Sequence, residues 1–173
     1  MKDRYELRYA AMEDIHCMGR VYVDTWKAAY RGMIPQEYLN GLTIEGWEEK
    51  YRSRFSKTEG YHVAVLTKDE SIIGVMSFMK TRDHDLPETC GEIVSIYVLQ
   101  EYWHQGLGKM MLGWAVKELQ KLGFTGCALW TLEDNLQAQR AYERFGFVRD
   151  GARQSQEFCK TPVWEIRYQM KLQ

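Results

Sequence analysis

Residues 91–109 admit few readings. A β-branched run, GEIVSIYV (91–98), passes through the polar segment LQEYWHQ into Gly106-Leu107-Gly108-Lys109. From there a helical period runs from about Gly106 to Leu122, with Leu107, Met111, Trp114, Ala115, Leu119 and Leu122 on its inner face and Gly123 as its C-cap. A helix start gathers unpaired backbone N–H groups and the positive end of the helix dipole, and glycine lets an anion come close to that backbone. The pattern suits a phosphate or pyrophosphate. It is not a Walker loop, because Met110 rather than Ser or Thr follows Lys109. Nor is it a dinucleotide fingerprint, because Met111 takes the third glycine position.

The remaining pattern surrounds this unit with alternating strands and helices. Residues 5–10 alternate as a short strand, and Ile15, Met18, Val21, Tyr22, Thr25 and Trp26 follow at helical spacing until Gly32 and Pro35 interrupt. A second helical stretch runs from about Thr43 to Phe55. YHVAVLT (61–67) and SIIGVMSFMK (71–80) read as a hairpin, and TRDHDLPET (81–89) as a polar loop. After the glycine helix come the strand CALWTL, the helix NLQAQRAYERF closed by Gly146, and two final strands, FVRDGARQ and PVWEIRYQMKL. The order β-α-α-β-β-β-α-β-α-β-β describes one mixed α/β (α+β) domain over residues 1–173, with a mostly antiparallel sheet flanked by helices.

Charge and cysteine usage narrow the function classes. The chain of 173 residues carries 23 basic and 24 acidic residues, a net of −1, which excludes the broad basic field of a nonspecific nucleic-acid binder. No apolar run approaches the roughly 20 residues of a membrane span, and MKDRYELRYA lacks a secretory core, so a cytoplasmic protein is expected. Cys17, Cys90, Cys127 and Cys159 show no paired spacing, and the four histidines are equally scattered, so no metal site is expected. Residues 1–100 hold 13 basic and 16 acidic residues, whereas 101–173 hold 10 and 8, so the two halves carry opposite small net charges.

Two blocks carry a family resemblance. EIVSIYV-LQEYWHQGLGKMML resembles the cofactor motif of the GNAT superfamily of acetyl-CoA-dependent N-acetyltransferases, [QR]-x-x-G-x-[GA] opening a helix; Trp103 stands where Gln or Arg is usual. Downstream, Asn135-x-x-Ala138-x-x-x-Tyr142-x-x-x-Gly146-Phe147 resembles the superfamily's second block, and the match is good over roughly residues 60–150. The resemblance implies direct acetyl transfer from acetyl-CoA to an amine acceptor: a small amine, amino acid, polyamine or protein N-terminus. It implies a pyrophosphate cradle of backbone N–H groups at Gln105, Gly106, Leu107, Gly108 and Lys109. It further implies pantetheine contacts from Ile96, Tyr97 and Val98, and cofactor contacts from Asn135 and Ala138.

The same resemblance implies that Tyr142 is general acid for the departing thiolate and Glu92 general base for the amine. Each position keeps a plainer reading: Tyr142 as a core aromatic, Asn135 as an N-cap, Glu92 as a solvated strand-end carboxylate. Strand alternation places Glu92 on one face with Val94, Ile96 and Val98, and Asp83, His84 and Asp85 are rival bases. The first helices, with Trp26, Tyr30, Tyr38, Trp47 and Tyr51, would wall the acceptor pocket or simply fill the core. A homodimer is compatible with the sequence. A non-catalytic CoA-binding module is the alternative function, and a nucleotide-binding protein is disfavoured by the loop chemistry.

Overall fold

The computed structural model describes residues 4–173; the first three residues of the N-terminal stretch lie outside it. Strand β1 (Tyr5–Tyr9) leads through a 3-10 turn to helices α1 (Ile15–Ala29), α2 (Gln36–Asn40) and α3 (Ile44–Lys57). The hairpin β2 (His62–Lys68) and β3 (Ser71–Lys80) precedes β4 (Cys90–Val98), helix α4 (Leu107–Lys121) and β5 (Gly126–Leu132). Helix α5 (Leu136–Phe145) and the hairpin β6 (Val148–Phe158) and β7 (Thr161–Lys171) complete the chain. The sequence pattern misses only α2. Pro35 ends the preceding segment yet also serves as the N-cap of α2, where a missing N–H costs nothing.

The seven strands form one sheet in the order β1-β2-β3-β4-β5-β7-β6. Only β4 and β5 run parallel, as the α4 crossover between them requires. Their pairing is short. It begins at Cys90 with Gly126 and ends at Ile93 with Leu129, so β4 from Val94 onward has no β5 partner. The two strands splay apart there.

A β-bulge sits at the point of divergence. Ser95 pairs with Ser77 and Ile93 with Phe78, leaving Val94 as the extra residue on β4. The bulge reverses the alternation of side chains. Glu92, Ser95 and Tyr97 pair with Met79, Ser77 and Val75 and share one face, and the Ser77 and Ser95 hydroxyls meet at 2.6 Å. Ile93, Ile96 and Val98 share the other. The expectation that Glu92 lies on a face with Ile96 and Val98 is therefore corrected, because it assumes an unbroken strand.

Helices cover both faces. The Tyr97 face lies under α1, where Tyr97 meets Tyr22 with ring centroids 5.1 Å apart. The opposite face lies under α4: a Cβ on Gly74 would come within 3.3 Å of Met111 Sδ. Ile15, Met18, Val21 and Tyr22 bury the inner stripe of α1, and Trp47 and Tyr51 that of α3, whose Thr43 hydroxyl accepts from Gly46 N. Helix α5 has an amphipathic sequence but buries no residue fully, because Tyr142 and Phe145 pack against the core while also bordering a cleft.

Candidate active site

The splay between β4 and β5 opens a cleft of about 900 Å³ that runs from the start of α4 past α5 to the end of α1. At one end lies the glycine loop. Gly106 has φ 78°, in the left-handed region, and is the N-cap of α4 with no side-chain cap. The helix ladder begins with Met110 N donating to Gly106 O, so the N–H groups of Leu107, Gly108 and Lys109 have no partner within the helix. A Cβ at Gly106 or Gly108 would meet nothing within 4 Å. The space above the cradle is open to a ligand, and His104, Lys109 and Arg144 are among the residues that line the cleft. His104 also adopts a left-handed φ of 62°, the kind of strained backbone found at ligand-binding turns.

Trp103 has a defined task in this chain. Its indole Nε1 donates to Val98 O at 2.7 Å, and Thr25 Oγ1 donates to the same oxygen at 3.3 Å. The end of β4 is thereby tied to the loop and to α1. Gln105 accepts from Tyr5 O–H through Oε1 and donates to Glu101 O, and unlike Gly106, Leu107, Gly108 and Lys109 it does not line the cleft. Ile96, Tyr97 and Val98 line the cleft along the unpaired edge of β4, as do Asn135 and Ala138 on α5. Asn135 is the N-cap: its Oδ1 accepts from Ala138 N at 3.2 Å.

Three tyrosines gather at the splay. Tyr142 is half-buried in the cleft wall, and burial pushes its phenol well above the ordinary range, with Tyr97 adding to the effect. Burial likewise pushes Tyr97 up to about 12. Tyr30, the C-cap of α1, is raised well above its usual value by burial, then by Tyr97, Tyr142 and Glu165 nearby. All three phenols are shifted away from ionisation, and those of Tyr30 and Tyr97 are hydrogen-bonded to each other.

Glu92 is placed differently. It is 2 % exposed and does not border the cleft. Its carboxylate accepts from Arg82 three times, from the backbone N and Nε at 3.1 Å and from Nη2 at 2.5 Å. Asp83 and Asp85 are likewise engaged, both with Arg167. The sequence reading passes over Trp130 and Thr131, which form the β5 wall, and Arg144, which lies seven residues after Gln137 on the cleft-facing stripe of α5. That spacing is the signal by which Arg144 is recognisable.

All four cysteines are free, and burial raises the thiols of Cys90 and Cys127. Among the described residues no cluster of His, Cys, Asp or Glu is placed to hold a metal, and no helix is long and apolar enough to cross a membrane.

Comparison with known proteins decides the family. Residues 21–147 match the model of the Acetyltransferase (GNAT) family. The chain belongs to that family. It is 36 % identical over 129 residues to an uncharacterized N-acetyltransferase, YuaI, of Bacillus subtilis, covering 75 % of this chain and 72 % of the relative. It is 25 % identical over 154 residues to a spermidine N(1)-acetyltransferase of Thermoplasma acidophilum, covering 82 % and 87 %. The fold also matches the crystal structure of PaiA N-acetyltransferase from Thermoplasma acidophilum in complex with coenzyme A, with a TM-score of 0.74, 22 % identity and coverage of 97 % and 99 %. This GNAT protein is an acetyl-CoA-dependent acyltransferase. The uncapped start of α4 and the open space at Gly108 fit the donor's pyrophosphate.

Because a Cβ at Gly108 meets no protein atom, Gly108→Val is expected to keep the thermal midpoint within about 3 °C of wild type, while a ligand so close to the backbone loses room. Calorimetry should show coenzyme A binding weakened at least tenfold, about 1.4 kcal/mol. Equal affinity in a folded variant would place the pyrophosphate elsewhere.

Proposed function

We propose that this GNAT protein transfers an acetyl group to a primary amine that enters from the α1 face of the sheet and carries a second positive charge. The observation behind the reading is the continuity of the cleft, which joins the α4 cradle at one end to Tyr142 and the splay at the other. Acetyl-CoA, when bound, supplies the thioester whose acyl group moves to nitrogen.

The floor of the α1 face carries an excess of carboxylate. Glu92 lies in register with Ala128 and Gln169, and Arg167 and Glu165 follow on the same side of β7. With the loop groups Asp83 and Asp85, and with Asp150 on Arg167, five carboxylates face two guanidiniums, those of Arg82 and Arg167. Glu165 is held by Gln154 and Gln156, both donating to Oε2 at 3.0 and 2.8 Å, and it acts on Tyr30 at the cleft. A net negative floor favours a cation, yet the attacking nitrogen has to be neutral, so the retained charge belongs to a second group. The name of the spermidine relative supports the same class of acceptor.

Nitrogen attacks as the free amine, forming N–C as C–S breaks, and one N–H proton leaves in the process. Glu92 is bound on both oxygens by Arg82 and does not border the cleft. Its role in this reading is to fasten the loop, and the proton passes to solvent. Tyr142 donates a hydrogen bond to the departing sulfur. A thiol titrates near about 8.5, below the raised phenol, so Tyr142 stabilises the thiolate while keeping its own proton.

A thiol-release assay tests these assignments. 1,4-Diaminobutane should exceed butylamine at least tenfold in kcat/KM, and Glu165→Gln should narrow the ratio; no preference in the wild type rejects the second-charge reading. Tyr142→Phe should lower kcat roughly ten- to a thousandfold with the fold retained. Normal turnover would reduce Tyr142 to packing. With the preferred amine, kcat/KM should rise with pH toward the ammonium's own pKa, near about 10.4, and this limb should persist in Glu92→Gln. Its loss in the variant would make Glu92 the base.

A further inference from the structure

Arg167 is an unusual occupant of a sheet interior. It is 4 % exposed on β7, and its guanidinium meets three carboxylates. Asp85 takes it in bidentate fashion, Nη1 to Oδ1 at 2.7 Å and Nη2 to Oδ2 at 2.6 Å. Nε donates to Asp150 Oδ2 at 2.6 Å, and Nη1 lies 3.2 Å from Asp83 Oδ2. Asp83 Oδ2 also accepts from Trp130 Nε1 at 2.9 Å, and Trp130 is a wall of the cleft. The guanidinium lies over the same indole, 5.4 Å from its centroid.

Two of these carboxylates belong to the loop between β3 and β4. That loop is held twice, with opposite polarity: its Arg82 binds the buried Glu92 of β4, and its Asp83 and Asp85 bind the buried Arg167 of β7. Ion pairing at a buried cation is no better for stability than apolar packing of the same volume. What it supplies is geometry, because a planar guanidinium fixes both the distance and the direction of each carboxylate.

We propose that Arg167 is a positioning residue for the acceptor: it clamps residues 81–89 against the sheet and, through Asp83, fixes the Trp130 indole as a wall of the acceptor half of the cleft. The inference rests on the acetyl-transfer reading above for the identity of that half. It assigns nothing to the cofactor half, since the cradle at 105–109 makes no contact with the clamp.

The full chain is compared with Arg167→Lys, which keeps the charge and loses the fork, and with Asp85→Asn, a milder change at a side chain that is 65 % exposed. Hydrogen exchange should accelerate at least tenfold in residues 81–89 and stay unchanged at 105–109. Acceptor KM should rise at least tenfold in Arg167→Lys and less in Asp85→Asn, with kcat falling less than threefold and acetyl-CoA Kd within twofold. Unchanged loop exchange in both variants overturns the clamp. Faster loop exchange with unchanged acceptor KM overturns the pocket wall, and a parallel loss of acetyl-CoA affinity makes Arg167 a general structural residue. If the wild type acetylates no amine, the acetyl-transfer reading fails and takes the acceptor role with it, while the exchange result still decides the clamp.

Discussion

Pairing between β4 and β5 stops at Ile93 and Leu129, and the Val94 bulge turns the rest of β4 away from its neighbour. Backbone groups on that edge are strong donors and acceptors that must find partners. The chain supplies one substitute, the Trp103 indole on Val98 O, with Thr25 sharing the oxygen. The remaining edge faces the cleft, where a ligand's amides can complete it. Without the splay there is no cleft, α5 would pack on the sheet as an ordinary helix, and Tyr142 would be a core aromatic.

The splay also separates two electrostatic territories. On the α4 side, unfilled helix N–H groups, Lys109 and Arg144 favour an anion. Across the sheet, the floor under α1 carries more carboxylate than guanidinium, and its two cations are committed to Glu92 and to the Asp83, Asp85 and Asp150 group. The two sides of one opening thus differ in charge, the α4 side suited to an anion and the α1 side carrying the excess of carboxylate. Between them stand Tyr30, Tyr97 and Tyr142, whose phenols burial raises above the ordinary range.

Much of this arrangement is written locally in the sequence. Gly106 and Gly108 mark the cradle because an anion site needs a helix start with no side chains in the way, and both glycines can be seen in the string. Asn135, Ala138 and Tyr142 follow the helical period and reach the cleft together. Glu92 is the instructive failure. Alternation assigns faces only in an unbroken strand, and nothing in GEIVSIYV announces that Val94 is the extra residue. The Arg167 group is equally hidden, since it joins residues 82 positions apart in the chain, Asp85 and Arg167, whose charges each look like solvated surface. Trp103 departs from the family pattern, and only the fold shows that its indole serves the backbone of β4.

The decisive measurement is a crystal structure of the protein with coenzyme A bound. The pyrophosphate should lie on the N–H groups at 105–109, the amide-bearing arm should be hydrogen-bonded to the unpaired β4 backbone between Val94 and Val98, and the sulfur should come within hydrogen-bond reach of the Tyr142 hydroxyl. An arm that runs outside the splay, or a sulfur remote from Tyr142, would rule out the β4 edge as the donor's seat.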